Sequence, residues 1–161
     1  SDFFATNGIE TLAPDQFMPD RLAPVGLLAG TAPNAIQEGD ITLACRVLKA
    51  LGGLDIGQAV VVQAGRVLAI EAAEGTNAML CRAADLIDES ESAAVMVKLP
   101  KSGQNRNLDL PVIGVTTLEI AAAAGVGVIA VQAGNVLFAE AASDLGAAAR
   151  AQGMTLLGLE G

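Results

Sequence analysis

An internal repeat constrains the fold of this chain more than any other feature. The segment QAGRVLAIEAA at residues 63–73 returns 69 positions later as QAGNVLFAEAA at residues 132–142, with eight of the eleven residues identical. Each copy predicts a strand, a tight turn at its glycine, a second strand and then a helix. A unit of helix, strand, turn, strand and helix is therefore expected twice around one sheet. This predicts an α/β fold with a mixed sheet.

The two copies diverge in their polar residues directly after the shared segment. The first continues as EGTNAMLCR at residues 74–82, and the second as SDLGAAAR at residues 143–150. The first copy thus places Glu, Thr, Asn and Arg around the start of a helix, which suggests a ligand-binding or catalytic site there. The alternative is that both units only pack a core.

Length and composition predict one domain preceded by an arm. The chain has 161 residues, of which 52% are hydrophobic and only 2% aromatic, so its core is expected to consist of aliphatic side chains. Residues 1–38 contain four prolines and show no steady apolar period. This pattern predicts an irregular arm that leads from a missing N-terminal domain. Residues 39–161 are then the catalytic or substrate-binding domain.

Charge and hydropathy exclude several classes of partner. The net charge of −9 argues against nucleic acid and against electrostatic docking on anionic lipid. The longest apolar run, residues 120–131, is shorter than the ~20 residues that a membrane span needs, and no signal peptide is visible. Cys45 and Cys81 are expected to be reduced core residues. Together these features predict a cytoplasmic protein with at most peripheral contact at the inner face of a membrane.

The absence of His, Tyr and Trp limits the chemistry. It excludes His-based triads, His metal sites and Tyr general acids. Any catalysis must use carboxylates, Lys, Arg, hydroxyls, amides or a metal held by oxygen ligands. Oxygen ligation favours Mg²⁺ or Mn²⁺ over zinc.

Local patterns predict the order of the elements. Asp40 is expected to cap a helix that ends at residues 52–53, and Thr116 or Thr117 to cap a later one. Residues 126–132 and 136–138 are expected to form a second hairpin. The other expected strands are residues 59–63, 67–71, 94–97 and 155–159, and the other expected helices are residues 76–86 and 144–152.

A glycine-rich run at residues 125–130 fits the dinucleotide pattern G-x-G-x-x-A. A dinucleotide site needs those glycines after a strand and at the start of a helix. Here they follow a predicted helix and open a predicted strand. The run therefore predicts helix–strand packing.

Three polar groups are candidate sites from their residue types. Exposed amides at the helix start near Gly75 and Thr76 attract phosphate, although an ordinary capped helix has the same pattern. A second group, Lys98, Lys101 and Arg106, concentrates positive charge in an acidic chain. It is either an anion site or a solvated loop. The third is Asp55, which either hydrogen-bonds a turn or ligates Mg²⁺.

Three longer blocks of sequence resemble a known enzyme family. They are LDIGQAVVV at residues 54–62, GxVLAxEAxEGTxAMLxR at residues 65–82, and KxxKxxQ through DxPxIG at residues 98–114. These blocks are similar to the C-terminal domain of UDP-2,3-diacylglucosamine diphosphatases of lipid A biosynthesis, of the type unrelated to calcineurin-like phosphoesterases. The similarity covers nearly the whole chain from about Gly39.

The resemblance implies a Mg²⁺-dependent hydrolase from Gram-negative bacteria. Such an enzyme cleaves the pyrophosphate of UDP-2,3-diacylglucosamine into UMP and 2,3-diacylglucosamine 1-phosphate (lipid X). The ligand lies between this domain and an N-terminal domain.

The sequence departs from the family pattern at two places. The family motif is Gly-Thr-Asp-Ala-Met, and its Asp is the key catalytic carboxylate, whereas this chain has Asn77 there. Asn cannot act as an anionic base and is a poor substitute for a carboxylate on Mg²⁺. The family also tends to carry Arg two residues before the Asp of Asp-x-Pro. This chain has Asn107 there and Arg106 one position earlier.

The resemblance leads to a first hypothesis in which pyrophosphate lies over the helix start. The candidate catalytic positions are Asn77, Asp55 and Glu74. The expected metal ligands are Asp55, Glu71 and Asp109. The expected substrate-binding residues are Gly75, Thr76, Arg82, Lys98, Lys101, Gln104, Arg106 and Asp109. A water on Mg²⁺ would attack phosphorus.

Two other hypotheses belong to different classes. The first is a noncatalytic domain that retains UDP-sugar or lipid X, which Asn77 suggests. The second is homodimer formation through the small-residue segments 121–124 and 147–149.

Overall fold

The computed structural model describes residues 6–8, 17–101 and 110–161. The helices in these ranges are α1 (Ala35–Gly52), α2 (Thr76–Ala84), α3 (Val115–Ala123) and α4 (Ala142–Ala151). The strands are β1 (Gly26–Ala29), β2 (Ala59–Gln63), β3 (Arg66–Ile70), β4 (Ala94–Lys98), β5 (Val112–Ile113), β6 (Val126–Gln132), β7 (Leu137–Phe138) and β8 (Thr155–Leu159). A short 3-10 turn covers Pro19–Arg21.

Six strands form one mixed sheet in the order β1-β8-β6-β4-β2-β3. The central strands β4, β6 and β8 are parallel to one another. At the edges, β1 is antiparallel to β8, and the hairpin of β2 and β3 is antiparallel to β4. This architecture confirms the predicted α/β fold.

Helices cover both faces of the sheet, because the side chains of the strands alternate between two apolar clusters. On one face α1 contributes Ile41, Ala44 and Leu48, which pack with valines of β2 and β4. On the other face α2, α3 and α4 pack against residues such as Met96 and Ile129. The sheet is therefore the middle layer of three.

The first copy of the repeat forms the predicted hairpin, but the second does not. The turn between β2 and β3 has positive φ angles at Ala64 (48°) and Gly65 (74°), as a tight hairpin requires. In the second copy β7 pairs in parallel with β5 in a separate two-stranded sheet. The prediction of a second hairpin is wrong because both edges of β6 are already occupied, by β4 and β8.

The N-terminal part of the described chain is more regular than predicted. Strand β1 pairs with β8, so the expectation of an irregular arm is wrong over Gly26–Ala29. The first helix begins at Ala35, where Asn34 and Gln37 form a capping box, and Asp40 lies inside it rather than at its cap. A four-residue strand between turns has too short an apolar pattern to be recognised. The limits of the domain itself stay a prediction.

Other expectations for single elements have mixed outcomes. Strand β8 has the predicted bounds, and the glycine-rich run follows α3 and opens β6, as expected. Helix α3 begins after Gly114 rather than at a threonine cap. Cys45 is half-buried, and burial raises the pKa of its thiol, whereas Cys81 is exposed and is not a core residue.

The small-residue segments partly serve the chain's own core. Ala121 and Ala149 are fully buried and belong to the apolar cluster on the face of the three shorter helices. Homodimer formation through these segments stays a prediction. Among the described residues, no helix is long and apolar enough to cross a membrane.

Candidate functional site

The polar residues of the first repeat meet at one edge of the sheet. Lys98 ends β4 and pairs with Ala59 at the start of β2. Glu71 directly follows β3, and its amide donates to the carbonyl of Ala59 over 2.9 Å. Open α/β sheets bind ligands beyond the carboxyl ends of their parallel strands. The candidate site therefore lies where the parallel strands meet the antiparallel hairpin.

A chain of hydrogen bonds links the buried groups at this edge. The Lys98 ammonium donates to Thr76 Oγ1 over 2.5 Å, and this hydroxyl donates to Glu71 Oε1 over 3.1 Å. The other carboxylate oxygen, Glu71 Oε2, accepts from the backbone amide of Gln58 over 3.3 Å. These hydrogen bonds connect β4 and α2 with the residues that flank β2 and β3. We call Lys98, Thr76 and Glu71 the triad.

The triad is largely shielded from solvent. Lys98 is 4% exposed and Glu71 is 9% exposed. Burial lowers the pKa of the Lys98 ammonium, while the nearby Glu71 carboxylate opposes that shift. A buried cation requires such a partner, because an unpaired charge in this environment is costly.

The start of α2 has open backbone amides. Its N-cap is Gly75, at φ 82°, which has no side chain to cap the helix. Met79 donates to the Gly75 carbonyl, but the structure shows no acceptor within the described part of the chain for the amides of Thr76, Asn77 and Ala78. These amides and the helix dipole attract anions.

The start of α3 provides a contrast within the same chain. There the Val115 amide donates to Glu140 Oε2 over 3.2 Å. Glu140 is the second-copy counterpart of Glu71, 69 positions later. One copy therefore uses its glutamate to cap a helix amide, whereas the other directs it to the triad and leaves the helix amides open.

A cleft of about 360 Å³ lies over the start of α2. Its lining residues are Glu74, Gly75, Thr76, Asn77, Val112 and Thr117. Asn77 is exposed at this cleft, and its Oδ1 accepts from Thr117 Oγ1 over 3.3 Å. Thr117 is buried on α3, so the neighbouring helix orients the side chain at position 77.

Glu74 and Arg82 form an exposed pair beside this cleft. Arg82 donates to Glu74 Oε1 over 2.7 Å and to the Ile70 carbonyl over 2.9 Å. The hydrogen bond from Arg82 is the largest of the effects that hold the pKa of the Glu74 carboxyl below its usual range. Glu74 is therefore an ionised carboxylate at neutral pH, and Arg82 has a protein partner.

A second cleft, of about 420 Å³, lies on the other side of Glu71. Its lining residues are Asp55, Ile56, Gly57, Gln58, Glu71, Ala72, Ala73 and Lys101. Asp55 and Lys101 form an ion pair of 2.9 Å at its mouth, where the Asp55 side chain is 85% exposed. The structure thus brings Asp55, Glu71 and Lys101 to one cleft, and Glu74, Thr76 and Asn77 to the other.

Gly57 packs its loop directly against the backbone of Glu71, and both residues line the second cleft. A Cβ at this position would lie 1.9 Å from the Glu71 carbonyl oxygen, and φ is 59°. We expect Gly57→Ala to lower the free energy of unfolding by at least ~2 kcal/mol, because it combines a backbone clash with left-handed geometry. Urea unfolding measures the loss.

The control for this substitution lies in the same loop. A Cβ on Gly53 would meet nothing within 4 Å, and its φ of −68° suits any residue. Gly53→Ala should therefore leave stability nearly unchanged. Equal losses in the two variants would contradict the role assigned to Gly57.

The described residues contain no preformed cluster of metal-ligating side chains. No group of three or more Asp, Glu, Cys or His side chains lies together in residues 6–8, 17–101 and 110–161. Glu71 accepts hydrogen bonds at both oxygens, and Asp55 is paired with Lys101. The assignment of Asp55 and Glu71 as metal ligands stays a prediction.

Several predicted site residues lie outside the described residues, namely Gln104, Arg106 and Asp109. Their roles stay predictions. Thr117 lines the cleft over α2, although its sequence pattern predicts only a helix cap. Its position three residues after Gly114, where the last block of the resemblance ends, was the available signal. The Gln58 amide was also missed, since backbone groups leave no trace in a residue pattern.

Comparisons with known proteins agree with the predicted family. Residues 24–157 match the family model described as the LpxI C-terminal domain. A relative from Caulobacter vibrioides, described as UDP-2,3-diacylglucosamine pyrophosphatase LpxI, is 40% identical over 156 residues. The alignment covers 90% of this chain and 56% of the relative. The chain thus spans about half the length of the curated relative that it matches.

Proposed function

Because this chain belongs to the LpxI C-terminal domain family, we propose that it is part of an enzyme that hydrolyses the pyrophosphate of UDP-2,3-diacylglucosamine. The products would be UMP and 2,3-diacylglucosamine 1-phosphate, and the reaction would serve lipid A biosynthesis. The observation that supports this most strongly is the uncapped start of α2, which opens into a cleft of about 360 Å³. A pyrophosphate is an anion that such a helix start can bind.

The residues of the cleft have distinct parts in this proposal. The amides of Thr76, Asn77 and Ala78 would bind phosphate oxygens and stabilise the charge that develops on them. The ionised Glu74 beside these amides would repel a bound phosphate. Its ion pair with Arg82 reduces that repulsion. Position 77 faces the cleft, and the Asn77 side chain would orient a water there by hydrogen bonding, although it cannot accept a proton from that water.

The proposal also includes a second domain and a location. The N-terminal domain implied by the resemblance would cover the cleft and supply further contacts to the nucleotide. The substrate carries acyl chains, so the reaction would take place in the cytoplasm at the surface of the inner membrane.

The dependence on Mg²⁺ stays a prediction of the resemblance. The described residues hold no cluster of three or more metal-ligating side chains, and no step above depends on a metal.

A second candidate function is a noncatalytic domain that binds UDP-sugar or lipid X. Asn77 is the observation that favours it, because the amide cannot accept a proton as a carboxylate does. The anion-binding geometry of α2 serves this function equally well.

The test is release of UMP from UDP-2,3-diacylglucosamine by this chain supplied with the N-terminal half of the enzyme. We expect UMP and the sugar 1-phosphate in equal amounts, measured by chromatography. Lys49→Met, an exposed change at the far end of α1, is the control and should not alter the rate. Binding of lipid X without any turnover would favour the second function, and release of UDP would contradict both.

A further inference from the structure

The predicted role of Lys98 as a direct phosphate ligand does not match its surroundings. Lys98 does not line the cleft over α2, nor does it line the second cleft. Thr76 lines one cleft and Glu71 lines the other. The Lys98 ammonium donates to the Thr76 hydroxyl, which lies between it and Glu71. A hydrogen-bonded effect of Lys98 on a ligand in the cleft over α2 therefore passes through Thr76.

The donors and acceptors of the triad have only one consistent arrangement when Lys98 and Glu71 are charged. An ammonium can only donate, and an ionised carboxylate can only accept. The single proton of the Thr76 hydroxyl is thus directed to Glu71. While the triad is intact, this hydroxyl has no proton to offer a phosphate. Thr76 can donate to an anion only through its backbone amide.

The triad also determines where the first turn of α2 lies. Gly75 provides no side-chain cap and adopts a conformation that is open to few residues. The side chain of Thr76, the first residue of the helix, is instead anchored to Lys98 on β4 and to Glu71 after β3. Because Lys98 and Glu71 hold the Thr76 side chain from inside the fold, the backbone amides on the outer side of the helix start face the cleft.

We propose that Lys98 and Glu71 are positioning residues that act through Thr76 to hold the amides at the start of α2 in place for a pyrophosphate group. This inference rests on the proposed function and deepens it. It removes Lys98 from the direct phosphate ligands and Glu71 from the metal ligands. It assigns both to the support of one helix terminus.

A double-mutant cycle distinguishes action through Thr76 from direct contact. The probe is inorganic pyrophosphate, and its dissociation constant is measured by titration calorimetry for the full chain. Lys98→Met and Thr76→Val should each weaken binding about tenfold, as expected for loss of a charge-assisted hydrogen bond. The double variant should still be only about tenfold weaker, because both changes break the same connection.

Conservative variants separate positioning from a general loss of structure. Thr76→Ser keeps the hydroxyl and should retain the affinity of the parent, whereas Thr76→Val should not. Lys49→Met, an exposed change on α1, should also leave the affinity unchanged. Circular dichroism at the titration temperature restricts the comparison to folded variants. If Lys98→Met does not fold, Glu71→Met takes its place in the cycle, since it removes the acceptor of the Thr76 hydroxyl.

The possible failures point to different conclusions. A double variant about a hundredfold weaker than the parent would show independent contacts and overturn the positioning role alone. Equal loss in Thr76→Ser and Thr76→Val would overturn it as well, since the hydroxyl would then be irrelevant. A parent that does not bind pyrophosphate would overturn the proposed function together with this inference.

Discussion

Asn77→Asp should raise the rate of UMP release by about 100-fold or more, which is the range of general-base catalysis by a positioned carboxylate. Position 77 is exposed at the cleft and is held by a hydrogen bond from Thr117. An Asp in this place keeps that acceptor and gains a charge that can take a proton from water. The side-chain amide of Asn77 offers neither a negative charge nor a basic oxygen.

The experiment compares kcat/KM of the parent and the Asn77→Asp variant, each supplied with the N-terminal half of the enzyme. Asn77→Ala is the matched control, because it removes the amide without adding a carboxylate and should give no gain. Equal rates for the parent and the Asn77→Asp variant would place the base elsewhere. No turnover in either protein would favour a diverged binding domain.

Metal binding provides a second readout for the same substitution. We expect Asn77→Asp to strengthen Mg²⁺ binding in calorimetry, since carboxylate oxygens are preferred ligands of this ion. Glu71 and Asp55 are already engaged by protein donors, so a new carboxylate would matter more here than in a site rich in acids. Unchanged Mg²⁺ affinity would remove position 77 from the metal site.

The sequence allowed the fold class and the first repeat to be predicted, because local pattern determines both. A short run of apolar residues and a glycine turn define the hairpin of β2 and β3 wherever it lies in the sheet. The second copy contains the same turn sequence, but its second strand pairs with β5. That choice depends on which edges of β6 are free, and sheet order is not encoded in any one segment.

The start of α2 was predicted from the sequence, but the contacts of its side chains were not. The polar run after the first copy correctly indicated the helix start with Glu74, Gly75 and Thr76. The sequence could not show that Lys98, 22 positions beyond Thr76, contacts its hydroxyl. Nor could it show that Lys98 is buried, since a lysine beside a polar segment is usually solvated. Burial is a property of the packed sheet edge.

Asp40 gives the second large expected effect, on stability. Its carboxylate is 1% exposed and accepts from the Ala64 amide over 2.9 Å and from the Gly65 amide over 2.7 Å. Asp40→Ala would leave both turn amides without this acceptor. We expect the free energy of unfolding to fall by about 3–5 kcal/mol, because the turn loses two hydrogen bonds to a charged acceptor.

Urea unfolding measures this loss, and two comparisons show its origin. Asp85→Ala changes an exposed aspartate at the end of α2 and should cost less than ~0.5 kcal/mol. Asp40→Asn keeps one acceptor oxygen but turns its side-chain NH2 group towards a backbone donor. Its free energy of unfolding should therefore lie between those of the parent and Asp40→Ala. A loss in Asp40→Ala as small as that in Asp85→Ala would contradict the role of the carboxylate.

The same turn in the second repeat shows why this effect is specific to the first. There the amides of Ala133 and Gly134 donate to the backbone carbonyls of Leu159 and Ala23. Their acceptors are supplied by β8 and by the segment before β1, so no buried carboxylate is needed. In the first copy the hairpin lies at the edge of the sheet, and α1 supplies the acceptor instead. Asp40 therefore joins α1 to the hairpin whose other end carries Glu71.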